Sequence, residues 1–145
     1  MVESREYLDL AIRSLQIADH LTYVTYPLIK DNKLLLKVLL EMNKCIVNYI
    51  SFVIEGGDWN EKFRGFLKNN DVDGFLNNEE IKKVKEILDL GKGYGRSAIE
   101  FSRGDKVVMM SDDLNVQVLD VERIKDYLRV VKKLIQEKME LSYKK

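Results

Sequence analysis

The stretch "LLLKVLLEMNKCIVNYISFVI", residues 34 to 54, constrains this chain more than any other. Stepping around a helix at about 100° per residue, its polar positions Lys37, Glu41, Lys44, Asn48 and Ser51 fall on one narrow strip. Nearly everything else is Leu, Val, Ile, Phe, Tyr or Met. A helix apolar over most of its circumference has to be covered on several sides. Three charged residues interrupt the run, whereas a membrane span wants about 20 residues almost free of charge. The stretch therefore reads as a core helix, and no membrane partner is expected.

Asp31 or Asn32 can cap the start of this helix and Gly56-Gly57 stop it, giving bounds near Asn32 and Glu55. A first helix is expected from about Glu3 to Thr25, because Pro27 biases Tyr26 away from helix. It has two apolar edges: Leu8, Ala11, Ile12, Leu15 and Ala18 on one, Leu10, Ile17, Leu21 and Val24 on the other. Its polar strip holds Asp9, Arg13, Gln16 and His20. The short "YPLIKDN" link makes the two long helices antiparallel neighbours.

Beyond them, a short helix is expected from Trp59 to Lys68 and another from Asn78 to Leu90, ending at "GKGYG" with Gly91 as its C′ residue. "KVVMM" and "VQVLD", joined at "SDDLN", read as a β-hairpin. A final amphipathic helix spans Val121 to Tyr143, capped by Asp120. The fold class is thus mainly α: an antiparallel bundle of about five helices with one small β-hairpin before the last. With 145 residues it forms a single domain, 1–145, divided into a long hairpin (1–55), short helices (58–95) and a hairpin plus C-terminal helix (97–145).

Acids and bases balance at 24 each, so net charge lends no support to a nucleic-acid partner. Charge is uneven along the chain, with an acidic stretch from Ser51 to Glu80 and a basic C-terminal helix. The single cysteine, Cys45, excludes an internal disulfide and suits a reducing cytosol; in an apolar helix it reads as inert packing. "MVESREYLDL" shows no secretory signal, so a cytoplasmic location is expected.

Four stretches bear on chemistry. "NNDVDGFLNNEE", residues 69 to 80, spells a calcium loop, with Asn69, Asp71, Asp73, the Phe75 carbonyl, Asn77 and Glu80 at the ligand places and Gly74 at the sixth. Its first place is Asn rather than Asp, and Lys68 and Gly65 stand where such loops usually carry aromatics. The same letters read as an Asp73-Gly74 turn and a capping box from Asn77 to Glu80, and this reading is preferred. "GKGYGR" with Lys92, Arg96, Arg103 and Lys106 offers an anion patch, although its glycines follow a helix rather than a strand. The paired acids of "SDD" sit at a turn, where they serve local hydrogen bonds. Trp59, beside two glycines, reads as a lid over one end of the bundle.

The fourth is "RSLQIADH". Arg13 and His20 are seven residues apart and share a helix face. In this spacing the chain resembles the HEPN family, small helical bundles that often pair as dimers. That resemblance implies that Arg13 and His20 from two subunits meet at an RNA-cleaving cleft, with His as acid or base and Arg holding phosphate. The alternative is a solvent-facing polar strip. No Ser-His-Asp or Cys-His constellation is visible and no cofactor is called for. The preferred expectation is a non-enzymatic interaction module that forms homo-oligomers, because the two long helices carry more apolar surface than one partner face can bury.

Overall fold

In the computed structural model, α3 (Lys33–Val53) is the central element. The structure describes residues 4–94, 99–110 and 116–143; of these, the side chains of 4, 71–73, 93, 94, 99–101 and 137–143 are outside the description. Leu35, Val38, Leu39, Met42, Cys45, Ile46 and Ile50 are fully buried on α3. Around it pack α1 (Ser4–His20), α4 (Trp59–Asp73), α5 (Asn78–Tyr94) and α6 (Val121–Tyr143). Even Glu41, from its polar strip, is buried beside Lys44. Fully burying each large aliphatic side chain contributes about 1.5–3 kcal/mol, so α3 anchors the bundle. No helix among the described residues is long and apolar enough to cross a membrane.

The first helix overruns its expected end. After α1 a π segment (Leu21–Thr25) leads without a break into α2 (Tyr26–Ile29). Pro27, at the start of α2, does not break the rod, because the widened π turn ahead of it makes room where a regular turn would need its missing donor. The widened turn before it lets the Tyr26 N–H donate five residues back, to the Leu21 carbonyl. The buried Thr22 hydroxyl donates to the Ala18 carbonyl at 2.8 Å. The rod stops at Lys30, the one described non-glycine residue with positive φ (56°), whose N–H donates to the Tyr26 carbonyl. Counted as one, this rod and the four other helices make five.

Asp31, rather than Asn32, accepts from the first turn of α3, through the Lys33 N–H at 3.0 Å. Asn32 is instead buried and works at long range. Its amide donates to the Gly104 carbonyl at 2.7 Å and its oxygen accepts from the Tyr26 hydroxyl at 3.1 Å. Burial, then the charges of Asp105 and Asp120, raise the Tyr26 pKa above its ordinary value.

Gly104 belongs to a sheet of three strands rather than two: β1 (Ile99–Arg103), β2 (Lys106–Met110) and β3 (Val116–Leu119), antiparallel in that order. The expected hairpin is present as β2 and β3, with Val108 opposite Val118. The additional strand β1 joins β2 through Gly104-Asp105, with Arg103 opposite Lys106. Gly104 has φ 65°, as a tight two-residue turn requires. Val107, Met109 and Leu119 plug the sheet into the core.

Two further helices are longer than expected. α4 runs on to Asp73 because Gly74, at φ 64°, supplies the left-handed cap and the Asn70 amide clamps both N–H and C=O of Leu76. α5 continues through Gly91 to Tyr94, so Gly91 is an interior residue and not the C′ cap. A Cβ at Gly91 would collide with the Asn43 amide of α3. The missing side chain is what lets the two helices approach.

Candidate functional site

The apolar surplus read from the two long helices divides unequally. That of α3 is internal core. The second edge of the first rod is open to solvent: Leu10 is 47% exposed, Ile17 36%, Val24 46%, Leu28 82% and Ile29 63%. One helix explains both faces. Leu8, Ala11, Leu15 and Ala18 point at α3 and are buried, while residues recurring every seven positions from Leu10 point away. Asp19, on the flank, pairs with Lys132 of α6 and so fixes which way the rod is turned. Tyr23 is held by the ammonium groups of Lys132 and Lys125, 5.0 and 5.5 Å from its ring centre.

Arg13 and His20 lie on this open face. Both are exposed, and among the described residues neither has a hydrogen-bond or ion-pair partner. They stand beside Ile17, one helical turn before and after it. Their exposure alone does not make a site, because a solvated strip looks the same within one copy of the chain.

The stretch from 69 to 80 forms the end of one helix and the start of the next. Residues 69–73 are the last turn of α4, so the first five places of the supposed calcium loop are helical. The side chains of Asp71 and Asp73 are outside the described residues. Asn77 and Glu80 form the capping box: the Asn77 N–H donates to Glu80 Oε1 at 2.9 Å, and the Glu80 N–H to Asn77 Oδ1 at 2.8 Å. Lys133 of α6 donates to the same Glu80 oxygen at 2.9 Å. Burial alone would raise the Glu80 pKa; the bonds from Lys133 and Asn77, with the charges of Lys133 and Lys83, hold it below the ordinary carboxylate value.

Of the anion candidates, Arg103 and Lys106 face each other across the β1–β2 turn and are exposed, with Asp105 between them. Lys92 is exposed on the last turns of α5, and among the described residues no hydrogen bond or ion pair joins it to them. Arg96 and the acids Asp112 and Asp113 lie outside the described residues. Cys45 is fully buried; burial first, then Glu41, push its thiol far above the ordinary range. Trp59 is half-buried and stacks on Phe63 with ring centres 5.8 Å apart. Among the described residues no group of three His, Cys, Asp or Glu side chains is placed to hold a metal ion.

No family model, no curated protein and no solved structure matches this chain.

Proposed function

We propose that this chain is a self-associating interaction module, not an enzyme, and that it pairs with a second copy through the open face of the α1–α2 rod. The observation that carries this reading is the row Leu10, Ile17, Val24, Leu28 and Ile29, exposed on an element whose opposite edge is already packed. Large apolar side chains gathered in the open along one element are the kind of surface that interaction sites use. Burial of such side chains contributes up to about 1.5–3 kcal/mol each. A two-fold pair buries the row twice, which reaches the scale of the roughly 4–15 kcal/mol that association costs. A cytoplasmic setting is part of the proposal and rests on the single buried thiol of Cys45 in a chain with no second cysteine. Sedimentation tests it. The chain should be a dimer at micromolar concentration and an Ile17→Glu variant a monomer; a monomeric wild type sinks the reading.

One observation favours a second reading, the HEPN-like one. Arg13 and His20 stand beside the row, so a dimer formed through it places two copies of the pair in one interface. RNA binding through them would weaken steeply with salt. Arg13→Ala and His20→Ala would each abolish cleavage, and cleavage unchanged in both removes those residues from any mechanism.

A further inference from the structure

Residues of α3, α4 and α5 line an open cleft of about 560 Å³, to which α1 contributes no side chain. We infer that it is a binding site for a small apolar organic anion, such as an aryl alkanoate. The volume lies in the range of small-molecule pockets.

Its walls are apolar. Trp59 and Phe63 of α4 stack at 5.8 Å with an interplanar angle of 25°, presenting a continuous ring surface. Val47 of α3 and Leu88 of α5 complete the walls, and both are only half-buried by the chain itself. The cleft's back depends on Gly91. A side chain there would displace the Asn43 amide, which also lines the cleft and bonds the Ile87 and Leu88 carbonyls at 3.4 Å each.

Its rim is cationic. Lys85 and Lys92 are seven residues apart on α5 and therefore share a face. Among the described residues neither ammonium has an ion-pair or hydrogen-bond partner. On α6, by contrast, Lys132 and Lys133 are both paired. Asp89 lies between the two rim lysines without pairing to either, so the rim carries a net charge of +1 from these three residues. An apolar wall under an unpaired cationic rim complements a ligand with a ring at one end and a carboxylate at the other. The open rim selects for charge, and the stacked rings select for shape.

Trp59 is the only tryptophan in the chain and stands in the wall, so its emission reports occupancy directly. The full-length chain is titrated with 4-phenylbutyrate and, in parallel, with its neutral amide. The acid should bind saturably, with a dissociation constant on the order of a millimolar for a ligand of this size. The amide should bind about five-fold more weakly, as should the acid to a Lys85→Gln/Lys92→Gln variant, since rim charge pairs are worth up to about 1 kcal/mol. Asp89→Asn should tighten the acid, an effect that a merely structural role for this residue would not produce. Ile17→Glu, at a residue that does not line the cleft, should leave binding unchanged whether or not the chain pairs through α1. Equal binding of acid and amide, indifference to the lysine pair, or no saturable change through the low-millimolar range would each overturn the proposal.

Discussion

The Asn43 side chain of α3 occupies the place where a Cβ of residue 91 on α5 would sit. Gly91 is therefore a packing glycine inside a helix. Two effects compete when it becomes alanine. Helix propensity gains about 1 kcal/mol. Overpacking a tight helix contact costs about 1–3 kcal/mol. The Asn43 amide already bonds two α5 carbonyls, so it cannot yield without losing them. Gly91→Ala is predicted to be destabilising, by about 1 kcal/mol net, in urea unfolding. A stabilised variant would mean that Asn43 moves freely.

Glu80 and Asp126 predict how stability responds to acid. Lys133 and the Asn77 N–H outweigh burial and lower the Glu80 pKa. The Lys83 hydrogen bond, the largest influence, lowers that of Asp126, with Arg129 helping against burial. A carboxylate with a depressed folded pKa adds stability that is present above its unfolded pKa and lost as pH falls through the folded one. Stability should therefore be flat near neutrality and fall below the unfolded carboxylate range. In Lys133→Met, the deficit relative to wild type should be present at pH 7 and shrink as pH falls. A deficit independent of pH would show that Lys133 acts through packing alone.

Calcium should not change this behaviour, because Asn77 and Glu80 already satisfy each other. The midpoint of thermal unfolding is predicted to be the same with millimolar calcium as with a chelator. Asn77→Ala should lower it in both, by the equivalent of about 1 kcal/mol for a lost cap. A calcium-dependent rise would restore the ion to residues 69–80.

Asn32 links elements 72 residues apart, since it holds the Gly104 carbonyl and the Tyr26 hydroxyl at once. Asn32→Ala leaves both partners short of a bond, and such losses cost about 1–3 kcal/mol. Tyr26→Phe removes one and should cost less. Amide exchange in β1 and β2 should accelerate in the first variant more than in the second. Equal exchange in both would show that the sheet is held by Val107 and Met109 and not by this tether.

The parts of the fold legible from the sequence were those with a periodic signal. α3 and α6 show nearly complete helical periodicity, and their bounds lie close to those expected. The capping box at Asn77 and Glu80 was readable because both partners are local. What failed was set by contacts between elements or by an unusual local turn. Gly91 reads as a helix stop until Asn43 is placed beside it. Pro27 reads as a break until the π turn ahead of it is seen. β1 was missed although "IEFSR" alternates over its first four residues and Gly104-Asp105 is a two-residue turn signal, because so short a run stands out as a strand only once β2 is paired with it. The cleft was invisible for the same reason: its residues come from three helices, and only packing collects them.

The last prediction concerns how two copies would meet. Ile17 lies seven residues from both Leu10 and Val24, so it marks the middle of the Leu10–Val24 part of the exposed row, about 10 Å from each along the axis. A two-fold interface is self-complementary, so a residue on its axis faces its own copy. If the α1 rods cross antiparallel at their midpoint, Ile17 meets Ile17 and Arg13 of each copy stands level with His20 of the other. A cysteine introduced at 17 in a Cys45→Ser background should then form an intermolecular disulfide rapidly on mild oxidation. Leu10→Cys alone should not, yet mixing it with Val24→Cys should give the heterodimer. Cys45 is the only native cysteine, so in this background the introduced thiol is the only one present. Efficient self-cross-linking at 10 but not at 17 would instead place the axis at the start of the rod, leaving Arg13 and His20 apart and the HEPN-like reading without its geometry.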